Sequence, residues 1–119
     1  MAHEQQHLTI RNSGGVNVVQ LADRKILDEL AISEMGEELT KLVNSSDKVR
    51  LLLSFKNVEH LSSAALGILI TLNRQVNDKG GQLRLADISP QILEVFKITR
   101  LNKLFNIFPT TQEALASFD

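Results

Sequence analysis

Few residues in this chain are equipped for chemistry, and the best placed of them stand together. The three histidines are His3, His7 and His60, and His60 lies two residues before a serine pair, Ser62-Ser63. A hydrolytic dyad built from these residues would need a base oriented by a third group, and an oxyanion hole. Residues two or three apart in a loop are poorly placed to supply that geometry, so a solvent-facing loop histidine is the simpler reading. The absence of cysteine removes disulfides, thiolate zinc sites and cysteine nucleophiles. No histidine pair has carboxylates at metal-ligand spacing. Gly14-Gly15 and Gly80-Gly81 match neither a Walker loop nor a dinucleotide fingerprint. Glu34, Glu37 and Glu38 read as the wet face of a helix. The expectation is no catalytic residue, no metal and no cofactor.

The serine pair has another chemistry open to it. Leu51-Leu52-Leu53-Ser54-Phe55 reads as a buried strand, Lys56 to Leu61 as a short loop, and Ser62-Ser63-Ala64-Ala65-Leu66-Gly67 as the mouth of a helix. A helix N-terminus leaves backbone N–H groups unpaired and carries partial positive charge. One serine there is a good cap. The second is redundant as a cap, and a phosphate at that point is electrostatically favoured. The small neighbours Ala64 and Ala65 leave the backbone open to another protein. The junction therefore reads either as a plain cap or as a phosphorylation switch.

The elements that must position this junction follow from periodicity. His7 to Asn12 alternates polar and apolar residues, Ser13-Gly14-Gly15 is a turn signal, and Val16 to Leu21 is a second strand, which together predict a hairpin. The segment from Ala22 to Glu29 reads as loop. From about Leu30, the residues Ile32, Met35, Leu39, Leu42 and Val43 recur at helical spacing, and the helix stops near Asn44-Ser45-Ser46-Asp47. Lys48 to Phe55 is a strand covered on both faces. The helix opened by the serine pair buries Leu61, Ala65, Ile68, Leu69, Leu72 and Val76, and ends at Gly80-Gly81. Gln82 to Ala86 is a further strand. Ser89-Pro90 opens a helix that buries Ile92, Leu93, Val95 and Phe96. Leu104 to Phe108 reads as a short fifth strand, and a last helix runs from Pro109 through Phe118. Strands alternating with helices imply parallel strands and right-handed crossovers. The fold class is α/β, a mixed and mostly parallel five-stranded sheet with helices chiefly on one face. One domain spans 1–119, with its core at about 8–118.

Composition narrows the partners. The 119 residues are 43% hydrophobic and carry 13 basic and 14 acidic side chains, for a net charge of −1. Basic residues are scattered, which argues against nucleic acid and against a polybasic membrane anchor. The polar start, Met1 to His7, lacks the apolar run of a signal peptide, and no stretch approaches the roughly 20 apolar residues of a membrane span. A cytoplasmic protein without direct membrane insertion is expected.

From Leu8 to Phe118 the pattern resembles the STAS family, named for sulfate transporters and anti-sigma factor antagonists. The family signature is a hydrophobic strand, a loop, then Asp-Ser-Ser/Thr-Gly-Leu-Gly and an apolar helix. Ser62-Ser63-Ala64-Ala65-Leu66-Gly67 stands in that place. Gly80-Gly81 to Ser89-Pro90 resembles the family's Gly-Gly, strand, Ser-Pro element, and Leu93 to Phe108 its following helix, turn and last strand. Leu27-Asp28 stands where the family has Leu-Asp before its first helix. In the antagonist branch, the serine after the Asp is phosphorylated by a kinase that is also the anti-sigma factor. By position that serine falls on Ser63, with Ser62 as second candidate. The family's Asp is Ser62 here, its second Ser/Thr is Ala64 and its Gly is Ala65, so one negative charge is missing from the contact surface.

The resemblance implies a non-enzymatic protein-binding switch, an anti-sigma factor antagonist whose partner is an anti-sigma factor/serine protein kinase. The partner surface is expected at Asp28, Asn57, Glu59, His60, Ser62, Ser63, Ala64 and Leu66. The alternative is a STAS-type accessory subunit of an ABC lipid transporter. An enzyme would require a deep pocket with perturbed ionisable groups, and the sequence supplies no cluster for one.

Overall fold

A computed structural model of the protein describes residues 8–45 and 47–118. His3, His7 and Ser46 lie outside the described residues. Strands β1 (Leu8–Ser13) and β2 (Val16–Leu21) form an antiparallel hairpin, with Ser13 opposite Val16. The two-residue loop is Gly14-Gly15, with φ of 58° and 87°. Positive φ at both positions is what a tight hairpin turn needs and what glycine alone adopts without strain.

The chain then alternates. A two-residue strand β3 (Lys25–Ile26) precedes helix α1 (Glu29–Asn44), and β4 (Arg50–Ser54) follows. A second two-residue strand, β5 (His60–Leu61), leads into α2 (Ser63–Asp78). Then come β6 (Gln82–Ala86), α3 (Pro90–Ile98), a 3-10 turn at Leu101–Lys103, β7 (Asn106–Phe108) and α4 (Thr111–Ala116). The main sheet has the order β1-β2-β4-β6-β7, and every pairing but the first is parallel. This is the expected mixed five-stranded sheet.

Leu51, Leu52 and Leu53 of β4 are each 0% exposed, at the centre of the sheet. Their alternation feeds two cores. Leu51 and Leu53 join the large cluster beneath α1, α2 and α3, which also holds Ile26, Met35, Leu39, Leu69, Leu72 and Phe96. Leu52 faces the other way, into a small cluster with Val16, Val18, Ala86 and Ala114 that α4 covers. Helices thus lie chiefly on one face, with α4 alone on the other. Phe55, Phe96 and Phe105 fill one end of the large core through edge-to-face contacts, a geometry favoured by the ring quadrupoles.

Three local readings change. The segment before α1 contains β3, and the loop before α2 contains β5. Two-residue strands have no periodicity to detect; they exist because they pair with each other. The last strand is shorter than Leu104 to Phe108. Phe105 is buried from the turn and Leu104 is 46% exposed, so their adjacent apolarity comes from one core contact and one surface residue. On α3, Val95 is exposed and Leu93 half-buried, which leaves Ile92 and Phe96 as the buried pair.

α2 ends as its glycines require. The Gly81 N–H reaches the Val76 carbonyl and the Gly80 N–H the Asn77 carbonyl, the crossed pair of a Schellman stop. A Cβ on Gly81 would lie 2.3 Å from the Val49 carbonyl oxygen, so the close approach of α2's end to β4 excludes any other residue there.

Candidate functional site

The two short strands build the site. β3 and β5 run parallel, with Lys25 beside His60 and Ile26 beside Leu61. The N–H groups of Glu59 and His60 donate to the Arg24 carbonyl, and that of Ser62 donates to the Ile26 carbonyl at 3.0 Å. Outside the ladder, the Arg24 guanidinium forks onto the Glu59 carboxylate with contacts of 2.9–3.1 Å. Ile26, 1% exposed, pins the assembly to the core. Each strand runs almost directly into a helix. The ladder therefore sets the N-terminus of α1 beside the N-terminus of α2. The helices then pack along each other, with the Ile68 side chain against Gly36, where a Cβ would lie only 3.0 Å from it.

Each helix is capped by its own side chain. Asp28 caps α1: its Oδ2 accepts from the Ala31 N–H at 3.0 Å, and Glu29 adds a second carboxylate to the first turn. Ser62 caps α2: its Oγ accepts from the Ala65 N–H at 3.2 Å. No acidic residue stands in the first turn of α2. Ser63 and Ala64 occupy the first two helical positions, where N–H groups have no intrahelical acceptor. Both residues are exposed. One serine thus serves as the cap, as two adjacent serines suggest, and the other offers its side chain at the surface.

The remaining residues expected in the partner surface divide by burial. Asp28, Asn57, Glu59 and His60 are exposed, and Ser62 is half-buried beneath its capping bond. Leu66 is only 7% exposed and belongs to the large core. It supports the surface from beneath, because one helical turn after the cap faces the sheet. His60 lies on β5 opposite Lys25, and the Ser62 hydroxyl is engaged with the helix backbone.

Two residues at this surface escaped the sequence reading. Leu27 and Leu30, which flank the first cap, are 51% and 67% exposed. The signal was available: Leu30 lies about 200° around the helix from Ile32 at 100° per residue, off the buried stripe. Arg24, which clamps the loop carrying Glu59, was read as part of a charged loop.

Cavities of about 460 and 590 Å³ lie elsewhere on the molecule, and none of the expected partner-facing residues lines either. Among the described residues no group of three or more His, Asp or Glu could hold a metal ion, and no helix is long and apolar enough to cross a membrane. What the site presents is a projecting surface of backbone donors, small side chains, hydroxyls and two leucines.

The STAS domain model matches residues 8–114, and the chain belongs to that family. The anti-sigma F factor antagonist of Paenibacillus polymyxa is 23% identical over 105 residues, 88% of each chain. An anti-sigma-factor antagonist (STAS) domain protein from Planctomyces limnophilus superposes with a TM-score of 0.82 at 20% identity, covering 92% of this chain and 95% of that one. The Bacillus cell fate determinant SpoIIAA in its phosphorylated form superposes with a TM-score of 0.67 at 17% identity, covering 92% and 96%. The fold is that of an anti-sigma factor antagonist.

Proposed function

We propose that this protein is a non-enzymatic binding switch that acts as an anti-sigma factor antagonist. Its partner is an anti-sigma factor that is also a serine kinase. The unphosphorylated domain binds that partner and so releases a sigma factor. Phosphorylation of Ser63, or failing that Ser62, reverses the binding by placing about −1.5 to −2 charges on the contact surface.

The observation that carries this reading is the division of labour in the serine pair. Ser62 is spent on the cap, and Ser63 is exposed in a first turn without acidic residues. Phosphate at Ser63 would meet unpaired N–H groups and the positive end of α2, so the fold tolerates it. Support comes from the relative named as an antagonist and from the existence of this fold in a phosphorylated form. The docking surface is formed by Asp28, Asn57, Glu59, His60, Ser62, Ser63 and Ala64, with Leu66 behind them and Leu27 and Leu30 as apolar contacts at its side. Ser62 in place of the family's Asp leaves this surface less acidic, so Asp28 and Glu59 are its nearest sources of negative charge. The domain needs no cofactor and contacts no nucleic acid. The relatives reported above give no support to a lipid-transporter subunit.

The test is incubation with ATP and a purified anti-sigma factor serine kinase. Mass spectrometry of the product should place a single phosphate on Ser63, and Ser63→Ala should abolish it. Phosphate on neither Ser63 nor Ser62, or full labelling of a Ser62→Ala/Ser63→Ala double variant, would contradict the proposal.

A further inference from the structure

The face of the sheet that carries α4 is only partly covered. α4 packs on β4, β6 and β7. Beside it, among the described residues, β1 and β2 turn exposed Thr9 and Arg11 and half-buried Gln20 to this face, next to Val18, which the small core buries. Between this bare strip and the start of α4 lies the cleft of about 460 Å³. That volume is in the range of small-molecule sites. The cleft sits at the carboxyl ends of β4 and β6, where open α/β sheets hold their ligands.

The charges lining the cleft are unbalanced. Arg11 and Lys56 both reach it, and both are exposed. Neither forms an ion pair with any described carboxylate. The one carboxylate among the described residues of the lining, Asp87, is already committed. Its Oδ2 accepts from the Ser54 hydroxyl at 2.7 Å and from the Thr111 hydroxyl, and its Oδ1 accepts from the Thr111 N–H at 3.1 Å. Ser54 is 4% exposed, and Asp87 is held at φ 62°, a conformation that non-glycine residues rarely adopt. This part-buried network fixes the floor of the cleft and occupies the Asp87 oxygens with hydroxyl and amide donors. The other described lining residues are hydroxyl and amide, Thr9, Gln20, Thr110 and Gln112, with Val18 the one apolar side chain among them.

We infer that this cleft binds a small, hydroxyl-bearing oxyanion held by Arg11 and Lys56. The polar lining excludes an apolar ligand, and the size excludes a folded partner. Arg and Lys recognise phosphate and carboxylate oxygens by charge-assisted hydrogen bonds. The shared chemistry is that of a sugar phosphate or a hydroxycarboxylate. The site is on the opposite sheet face from α1 and α2, so it stands or falls independently of the partner surface.

The test is a titration of the ¹⁵N-labelled full chain with ribose 5-phosphate, citrate and inorganic phosphate as separate probes. Saturable amide shifts are expected at Thr9, Arg11, Lys56 and residues 110–112. Ribose 5-phosphate against citrate separates the phosphate from the carboxylate form of the ligand, and inorganic phosphate reads the oxyanion alone. The double variant Arg11→Gln/Lys56→Gln should weaken the tighter probe by about tenfold or more, because it removes two charge-assisted bonds. The control Arg74→Gln/Lys103→Gln removes two exposed cations elsewhere and should leave affinity unchanged. No saturable shift with any probe, shifts centred away from the cleft, or an equal loss in the control would overturn the inference. The shift map of the unsubstituted chain decides the location even if the double variant folds poorly.

Discussion

The N-termini of α1 and α2 lie side by side and meet the same physical problem in different ways. Each has unpaired N–H groups and partial positive charge. α1 answers with fixed carboxylates, Asp28 as cap and Glu29 in the first turn. α2 answers with one neutral hydroxyl and adds no charge at all. The first end is electrostatically complete. The second is complete in hydrogen bonding at Ala65 but not in charge. On the proposed reading, this is the end at which a negative group is added and removed without loss of the fold. The comparison teaches that the helix end proposed as the switch differs from its neighbour by the charge it lacks, with the saturated α1 end as the internal reference.

The comparison breaks most severely where the two helix ends are tied together. Ile26→Ala removes the buried side chain under the β3–β5 ladder and should cost about 2–5 kcal/mol, read as a lower midpoint in denaturant. It should also weaken partner binding among the molecules that stay folded. Next come the caps. Ser62→Ala and Asp28→Ala should each cost about 1 kcal/mol, and only the Asp28→Ala loss should shrink at high salt, since only Asp28 acts partly through charge. Arg24→Ala breaks an ion pair whose side chains are 71% and 49% exposed and should cost at most about 1 kcal/mol. Its larger effect should be faster amide exchange at Glu59 and His60. Ser63→Ala should change stability by less than about 0.5 kcal/mol, in contrast to Ser62→Ala. A loss as large as that of Ser62→Ala would mean that Ser63 shares the capping role.

Much of this was legible in the sequence. Leu51-Leu52-Leu53 pointed to the central strand because an unbroken apolar run this short suits a strand covered on both faces better than a helix. The glycine pairs signalled a hairpin turn and a helix stop because Gly14, Gly15 and Gly80 take positive φ and Gly81 lies against the Val49 carbonyl. Ser62 and Ser63 marked the start of α2 because a cap is a local motif. What was not legible depends on pairing across the chain. β3 and β5 are too short to show a period, and they arise only when two loops separated by 35 residues (Lys25 to His60) are brought together. The adjacency of Asp28 to the serine pair follows from that ladder and from nothing local. The committed state of Asp87, set by Ser54 and Thr111, is likewise a tertiary fact. Leu66 looked like a surface candidate because it sits inside the signature, yet the helical period turns it to the core. Leu30 shows the reverse: its place off the apolar stripe was readable, and its neighbour Asp28 gives that place meaning.

The central claim is that charge at Ser63 is acceptable to the fold and unacceptable to the partner. The most direct measurement is a calorimetric titration of the anti-sigma factor kinase with the unsubstituted protein and with Ser63→Glu, paired with thermal melts of both. A carboxylate at the start of α2 should leave stability unchanged or raise it by about 0.3–1 kcal/mol. Desolvating that charge in the interface should weaken binding by about tenfold or more. Equal affinity for both proteins would contradict the switch, and a large drop in melting temperature would return Ser63 to the role of an ordinary structural residue.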